Sequence, residues 1–346
     1  MRAVVVHAAN DLRVTEVASP DAGTDGILIQ MAYGGICGSD LAYWKHGASG
    51  TAILRDPLIL GHEVSGTVAG IGTDVAADAE AAGIRIGAPV TVHPATRVGE
   101  PAAWPGATER PNLWPVVRYF GSAAVSPHED GGFSNLRRVR LDQVRLLPAG
   151  VTLRDGAIVE PLSVALHAIS RAGDVRGRSV LVNGCGPIGS LVIAALRHAG
   201  AGRVIGADVS AHALAVATAG GADEVVNVGA GEPLPQNVDV SIEASGVGAA
   251  LGGVIGATRP GGVIVQAGNL RAGTIEASIA GIVTKEIDYR GSYRFVDEMD
   301  TAIRMLADGL DVSPVISHEF AMADAEEAFR TATTPQASKV LLRLDA

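Results

Sequence analysis

The sequence predicts an α/β protein of two domains, one β-rich and one built on a doubly wound parallel sheet. The chain has 346 residues, more than a single hydrophobic core usually serves. Its rhythm changes after Glu160, from short β-rich runs separated by turn residues to alternating strand and helix. The stretch G-C-G-P-I-G at 184–189 stands between an apolar strand and a helical run, where a parallel α/β sheet makes its first tight turn.

The β-rich part opens with RAVVV at 2–6 and continues with ILIQMAY at 27–33, EVSGTVAGIG at 63–72 and PVTVH at 89–93. Short alternating runs of this kind predict small antiparallel sheets or a barrel. Residues 94–115 are rich in Pro, Ala, Gly and Arg without periodicity and predict a long surface lobe or loop. Beyond Glu160 come SVLVN at 179–183, a helix over 188–199, RVIGA at 203–207 and a helix over 211–219. EVV, DVSI, a small-residue helix near 248–257 and GVIVQA at 262–267 follow. Repeated β-α-β units predict the parallel sheet. A last piece from about residue 290 holds a helix near 297–308, PVISHEF at 314–320, a helix near 323–330 and the strand KVLLRL at 339–344, which can return to the first domain.

Composition narrows the function classes. Hydrophobic residues make up 47%, yet Gly, Pro or charge interrupts every apolar run, so no window spans a bilayer. The N-terminal residues lack the basic and apolar regions of a signal peptide, and a cytoplasmic location is expected. The net charge of −10 disfavours nucleic acid, whose phosphates need a clustered positive surface. The one small basic cluster, Arg137, Arg138 and Arg140, reads as a solvated strand face. Two cysteines, Cys37 and Cys185, cannot build a disulfide framework.

In G-C-G-P-I-G, Gly184 permits the tight turn, Gly186 lets backbone approach a pyrophosphate and Gly189 lets helix pack on strand. Pro187 and Ile188 open the helix whose N-terminus offers N–H groups to phosphate. The strand RVIGA ends at Asp208, about twenty residues beyond the glycines, where a carboxylate accepts from ribose hydroxyls and repels a 2′-phosphate. No Arg at 209–212 offsets it, so NAD is expected over NADP. Asp208 as a helix cap is the structural alternative.

Cys37 in G-G-I-C-G-S-D and His62 and Glu63 in L-G-H-E-V lie at edges of predicted strands, and Glu160 lies just before Pro161 at a helix start. Zinc accepts thiolate, imidazole and carboxylate, and a catalytic zinc commonly keeps one position open. Each residue also has a plain structural reading: buried thiol, satisfied core histidine, surface charge, helix-terminal acid.

These motifs, with D-G-G-F at 130–133 and E-P-L-S-V at 160–164, resemble in order and over the whole chain the zinc-containing medium-chain dehydrogenases. Within them the chain is most similar to the polyol branch of sorbitol, xylitol and L-idonate dehydrogenases. Y-F-G-S-A at 119–123, P-H-E-D-G-G-F at 127–133 and R-G-S-Y-R-F at 290–295 resemble the L-idonate 5-dehydrogenases in particular. The resemblance implies a GroES-like catalytic domain from 1–156 and 290–346 around a Rossmann domain at 157–289, and a homodimer or homotetramer. It also implies one catalytic zinc on Cys37 and His62, with Glu63 and Glu160 as the acidic candidates, one contacting the metal directly and the other acting through water or from behind the ligands, the sequence not deciding which. Ser39 is implied as proton relay, and Tyr43, Phe120 and Arg294 as substrate-pocket residues, Arg294 suited to a sugar-acid carboxylate.

The chain departs from the pattern twice. The lobe where relatives hold a structural zinc on four cysteines has none here, so Trp104, Trp114, prolines or a neighbouring subunit must hold it. Ala42 stands where many relatives carry a histidine relay. The expected activity is NAD-linked, zinc-dependent oxidation of a secondary hydroxyl of a polyol or aldonate, L-idonate to 5-ketogluconate being the specific expectation. Sorbitol, xylitol or threonine dehydrogenation, a zinc-free quinone-reductase-like activity and non-catalytic NAD binding are the alternatives.

Overall fold

The computed structural model describes residues 1–271 and 273–345. The chain forms two compact units, Met1–Glu160 with Ile316–Ala346, and Pro161–Val315. Both architectures are those expected, a β-rich unit closed by the C-terminal strand and a doubly wound α/β unit.

In the first unit a seven-stranded sheet runs in the order Val144–Leu146, Pro89–Val92, Glu63–Ile71, Ile27–Gly35, Lys339–Arg343 and Ile316–Ala321, with Leu136–Val139 also paired to Ile27–Gly35. Alternation explains the register: Ile27, Ile29 and Met31 point to one face and are fully buried with Val64, Val68, Val90, Phe133, Phe329, Val340 and Leu342. The chain ends meet here because the strand starting at Lys339 has four consecutive buried positions, Lys339 to Leu342, as a central strand needs. Residues 94–115 are more ordered than their composition suggests. Ala95–Val98 pairs antiparallel with Val116–Tyr119, and Trp114 Nε1 donates to the carbonyls of Val98 and Gly99, both at 3.2 Å. Trp104 is exposed and takes no such part. Arg137, Arg138 and Arg140 sit on or beside Leu136–Val139 and are ion-paired with Glu129, Asp25 and Asp142.

In the second unit six strands lie in the order Glu224–Asn227, Arg203–Asp208, Ser179–Asn183, Val238–Glu243, Thr258–Gln266 and Asp288–Gly291. All pair in parallel, so their C-terminal ends share one edge, where ligands of such sheets bind. The segment 290–315, expected with the first domain, belongs to this unit. Asp288–Gly291 is the sixth strand, and Glu298–Ala307 buries Met299, Ala302, Ile303 and Leu306. Glu298 also holds His167 at 2.7 Å. No described helix is long and apolar enough to cross a membrane.

Candidate metal and dinucleotide sites

Cys37 ends the turn after Ile27–Gly35 and caps the helix Gly38–His46. His62 precedes, and Glu63 begins, the neighbouring strand Glu63–Ile71, and the pairing of Gly35 with Glu63 brings them together. One ligand atom from each of Cys37, His62 and Glu63 lies within 4.8 Å of the others. Glu160, buried at the start of Val159–Ala172, accepts a 2.6 Å hydrogen bond from Tyr119 Oη, and the Tyr119 ring packs edge-on against His62.

Two further charged residues complete this cluster, and the sequence reading did not single them out. Asp40, fully buried, accepts from the backbone N–H of Cys37 at 2.9 Å and of Gly61 at 3.3 Å, and stands 3.9 Å from His62 Nδ1. Lys339, also buried, donates to both carboxylate oxygens of Glu63, at 2.7 and 2.6 Å, and to the carbonyl of Ile36. The three-residue spacing of Cys37 and Asp40 is a helix-capping signal that could have flagged the aspartate. Nothing local marks Lys339, which lies 276 residues from Glu63.

The electrostatics suit a cation. Burial alone would depress the His62 pKa, but Asp40, Cys37 and Glu160 outweigh it and hold the imidazole well above its usual value. Burial raises the Glu160 carboxyl, with His62, Tyr119 and Lys339 opposing. Burial likewise raises Asp40, while Glu63 and Cys37 keep Lys339 charged against the cost of burial. A thiol and three carboxylates face one lysine and one imidazole, and among the described residues His62 Nδ1 is buried without a hydrogen-bond partner. The donor types are those zinc takes, so the residues fit the ion.

Ser39 is the second residue of the helix that Cys37 caps and is half-buried. Tyr43 lies in the core of the first unit, its Oη accepting from Ala123 N at 2.9 Å. Phe120 is buried too, under the Arg137 guanidinium, 4.7 Å from its ring centre. Both expected pocket residues are engaged in packing because each ring covers neighbouring backbone or side chain. Arg294 belongs to the second unit, three residues past the C-terminal end of Asp288–Gly291. There it adopts φ 53° with its guanidinium over Tyr293.

The glycine turn joins Ser179–Asn183 to the helix Pro187–His198. A Cβ on Gly189 would come 1.8 Å from the Gly184 carbonyl oxygen, and Gly184 has φ 95°, so neither position takes a side chain. Gly186 is the N-cap, with Pro187 and Ile188 in the first turn. Asp208 ends the adjacent strand and accepts from Cys185 N at 2.7 Å and Ser210 N at 2.8 Å. Burial, with the Asp208 carboxylate nearby, pushes the Cys185 thiol up to about 12, leaving it inert at neutral pH.

Comparison with known proteins agrees with this geometry. A family model described as the alcohol dehydrogenase GroES-like domain matches residues 23–149, and one described as zinc-binding dehydrogenase matches 187–308. The chain is 36% identical to the L-idonate 5-dehydrogenase (NAD(P)(+)) of Escherichia coli K12, over 98% of this chain and 97% of that one. It is 34% identical to the sorbitol dehydrogenase of Gallus gallus, over 99% and 96%. The crystal structure of the Escherichia coli K-12 L-idonate 5-dehydrogenase superposes with a TM-score of 0.90 at 35% identity, covering 99% of this chain and 97% of that one. With the glycine turn in one unit and the thiol, imidazole and carboxylates gathered in the other, the chain belongs to the zinc-binding medium-chain dehydrogenases, in the branch of the sorbitol and L-idonate dehydrogenases.

Proposed function

We propose that this dehydrogenase oxidises a secondary hydroxyl of a small polyol or aldonate with NAD, and that L-idonate, giving 5-ketogluconate, is its substrate. The observation that carries the reading is the convergence of Cys37, His62 and Glu63 within 4.8 Å beside the Tyr119–Glu160 pair. Cys37, His62 and Glu63 would hold the zinc, and Glu160, turned toward Tyr119, would meet it through water. When bound, zinc would supply Lewis acidity that eases loss of a hydroxyl proton, and NAD would supply the hydride acceptor.

The protein's own groups position and move the proton. Ser39 Oγ takes it from the substrate hydroxyl and passes it to solvent, the route left open by Ala42. Asp40 fixes the turn that carries Cys37 through the Cys37 and Gly61 N–H groups and places a negative charge 3.9 Å from His62 Nδ1. Arg294 pairs with the carboxylate of an aldonate, a bidentate match that a neutral polyol lacks. It lies at the binding edge of the sheet, past its sixth strand. Gly184, Gly186, Pro187, Ile188 and Gly189 seat the pyrophosphate, and Asp208 fixes a negative charge that favours NAD over NADP. The similarity to L-idonate 5-dehydrogenase supports the substrate, and a dimer or tetramer is the assembly we expect.

The test is a panel of L-idonate, sorbitol, xylitol and threonine followed by NADH absorbance, with zinc measured on the same preparation. L-idonate should give the highest kcat/KM on protein carrying one zinc per chain. Turnover of sorbitol or xylitol without turnover of L-idonate would overturn the substrate, and full activity in zinc-free protein would overturn the metal's role.

A further inference from the structure

Glu243 is the last residue of Val238–Glu243 and is fully buried. The register places it level with Asn183 on one neighbouring strand and Gln266 on the other, so three polar side chains form a row along the binding edge of the sheet. Its Oε1 accepts from Asn183 Nδ2 at 3.3 Å, from Ser245 N at 2.9 Å and from Ser245 Oγ. Its Oε2 accepts from Gly246 N at 3.1 Å and from Gln266 Nε2. Its backbone carbonyl accepts from Ala267 N and Gly268 N, both at 2.8 Å. Gln266 is anchored in turn, its Oε1 accepting from Tyr289 Oη at 2.8 Å.

A carboxylate this deep is costly unless its charge meets donors or a cation. Among the described residues no lysine, arginine or histidine is ion-paired with Glu243, and its side chain is satisfied by neutral donors from the ends of three strands. The loops it joins are pressed together: a Cβ on Gly184 would lie 2.5 Å from Ser245 N, and one on Gly268 would lie 2.3 Å from Gly246 N. Such a network, fully satisfied, fixes one arrangement of those loops.

Its place along the sheet gives that arrangement a use. Asp208 ends the strand on one side of the glycine turn, and Glu243 ends the strand on the other. A dinucleotide whose pyrophosphate sits on the turn and whose adenosine ribose reaches Asp208 must lay its second nucleoside over the ends of Val238–Glu243 and Thr258–Gln266. We propose that Glu243 is the positioning residue for the nicotinamide half of the cofactor, clamping loops 244–246 and 267–268 into the floor of that half-site. This rests on the dinucleotide reading above.

The experiment compares NAD with AMP, which lacks the nicotinamide half, by calorimetric titration of the full-length zinc-loaded protein. In Glu243→Gln two of the donors now aimed at the carboxylate meet an amide NH2 instead. NAD binding should weaken about tenfold or more while AMP binding stays within twofold. Gln266→Leu, which leaves the backbone donors on Glu243, should give the same split at smaller size and decides the matter if Glu243→Gln does not fold. Equal loss of NAD and AMP binding, or no loss of either, overturns the proposal. A wild-type protein that binds neither overturns the dinucleotide reading itself, and with it this inference, and the unmutated chain alone reveals that.

Discussion

A carboxylate deprived of water must find donors, and Asp40 finds them in two backbone N–H groups while its charge faces His62. The same side chain therefore fixes the turn that carries Cys37 and the field around the imidazole. At 3.9 Å it makes no hydrogen bond to Nδ1 and acts through the Cys37 turn and its charge; loss of supporting groups around a metal site typically costs about 10- to 100-fold in metal affinity or activity. Asp40→Asn keeps the shape and one acceptor but removes the charge. It should weaken zinc binding, read by competition with a chromogenic chelator, by about that factor, and cost about 1–3 kcal/mol of stability for the buried N–H left facing an amide NH2. Unaltered zinc affinity would show that His62 needs no charged partner. The contrast with Cys185 is instructive. Both thiols are near a carboxylate, but Cys185 is sealed inside the glycine turn with its pKa pushed up to about 12, whereas Cys37 sits half-buried beside nitrogen and oxygen ligands. Only environment separates the proposed metal ligand from a packing residue here.

At the scale of elements, the strand Lys339–Arg343 does two tasks at once. Leu341 and Leu342 pair with Gly35 and Gly34 in the middle of the sheet, and Lys339 at its start carries the cation that balances Glu63. Removing one partner of a buried pair costs about 3–5 kcal/mol because the other charge is stranded, whereas replacing both can be nearly neutral. Lys339→Met should accordingly destabilise the protein by about that amount, and adding Glu63→Gln should recover most of the loss in chemical denaturation. A double variant as unstable as the sum of the two single ones would mean that the pair contributes no coupling. The closing strand itself was legible from K-V-L-L-R-L, since a run of apolar residues suits a central strand. Its ionic partner was not, because hydrophobic periodicity reports burial and says nothing of which distant side chain a buried charge will meet. The lobe shows the opposite limit: A-T-R-V at 95–98 is too short to show a period of its own, and pairing with Val116–Tyr119 makes the strand. Arg290 and Gly291 could be seen as strand-like only once Thr258–Gln266 stood beside them, which is why the expected boundary at 290 differs from the compact unit that runs to Val315.

At the scale of the whole molecule, the proposed zinc ligands Cys37, His62 and Glu63, with Glu160 beside them, all belong to one unit, and the glycine turn and Asp208 to the other. Each unit has a core of its own: Val4, Met31, Phe133 and Leu342 are buried in the first, and Leu181, Ile205 and Val238 in the second. Binding of the two cofactors should then be separable even though turnover needs both. Treating the protein with a zinc chelator should abolish NADH formation while NAD affinity, followed by calorimetry, changes by less than about threefold. Gly189→Ala should do the reverse. Its methyl group would be driven to within 1.8 Å of the Gly184 carbonyl oxygen, so the turn must open and the phosphate seat is lost, while zinc content stays at one per chain. Loss of turnover in both cases is expected on any reading, so the discriminating quantity is the cofactor that remains bound. If chelation releases NAD, or if Gly189→Ala releases zinc, the sites are energetically coupled and the assignment of independent cores to independent binding is wrong.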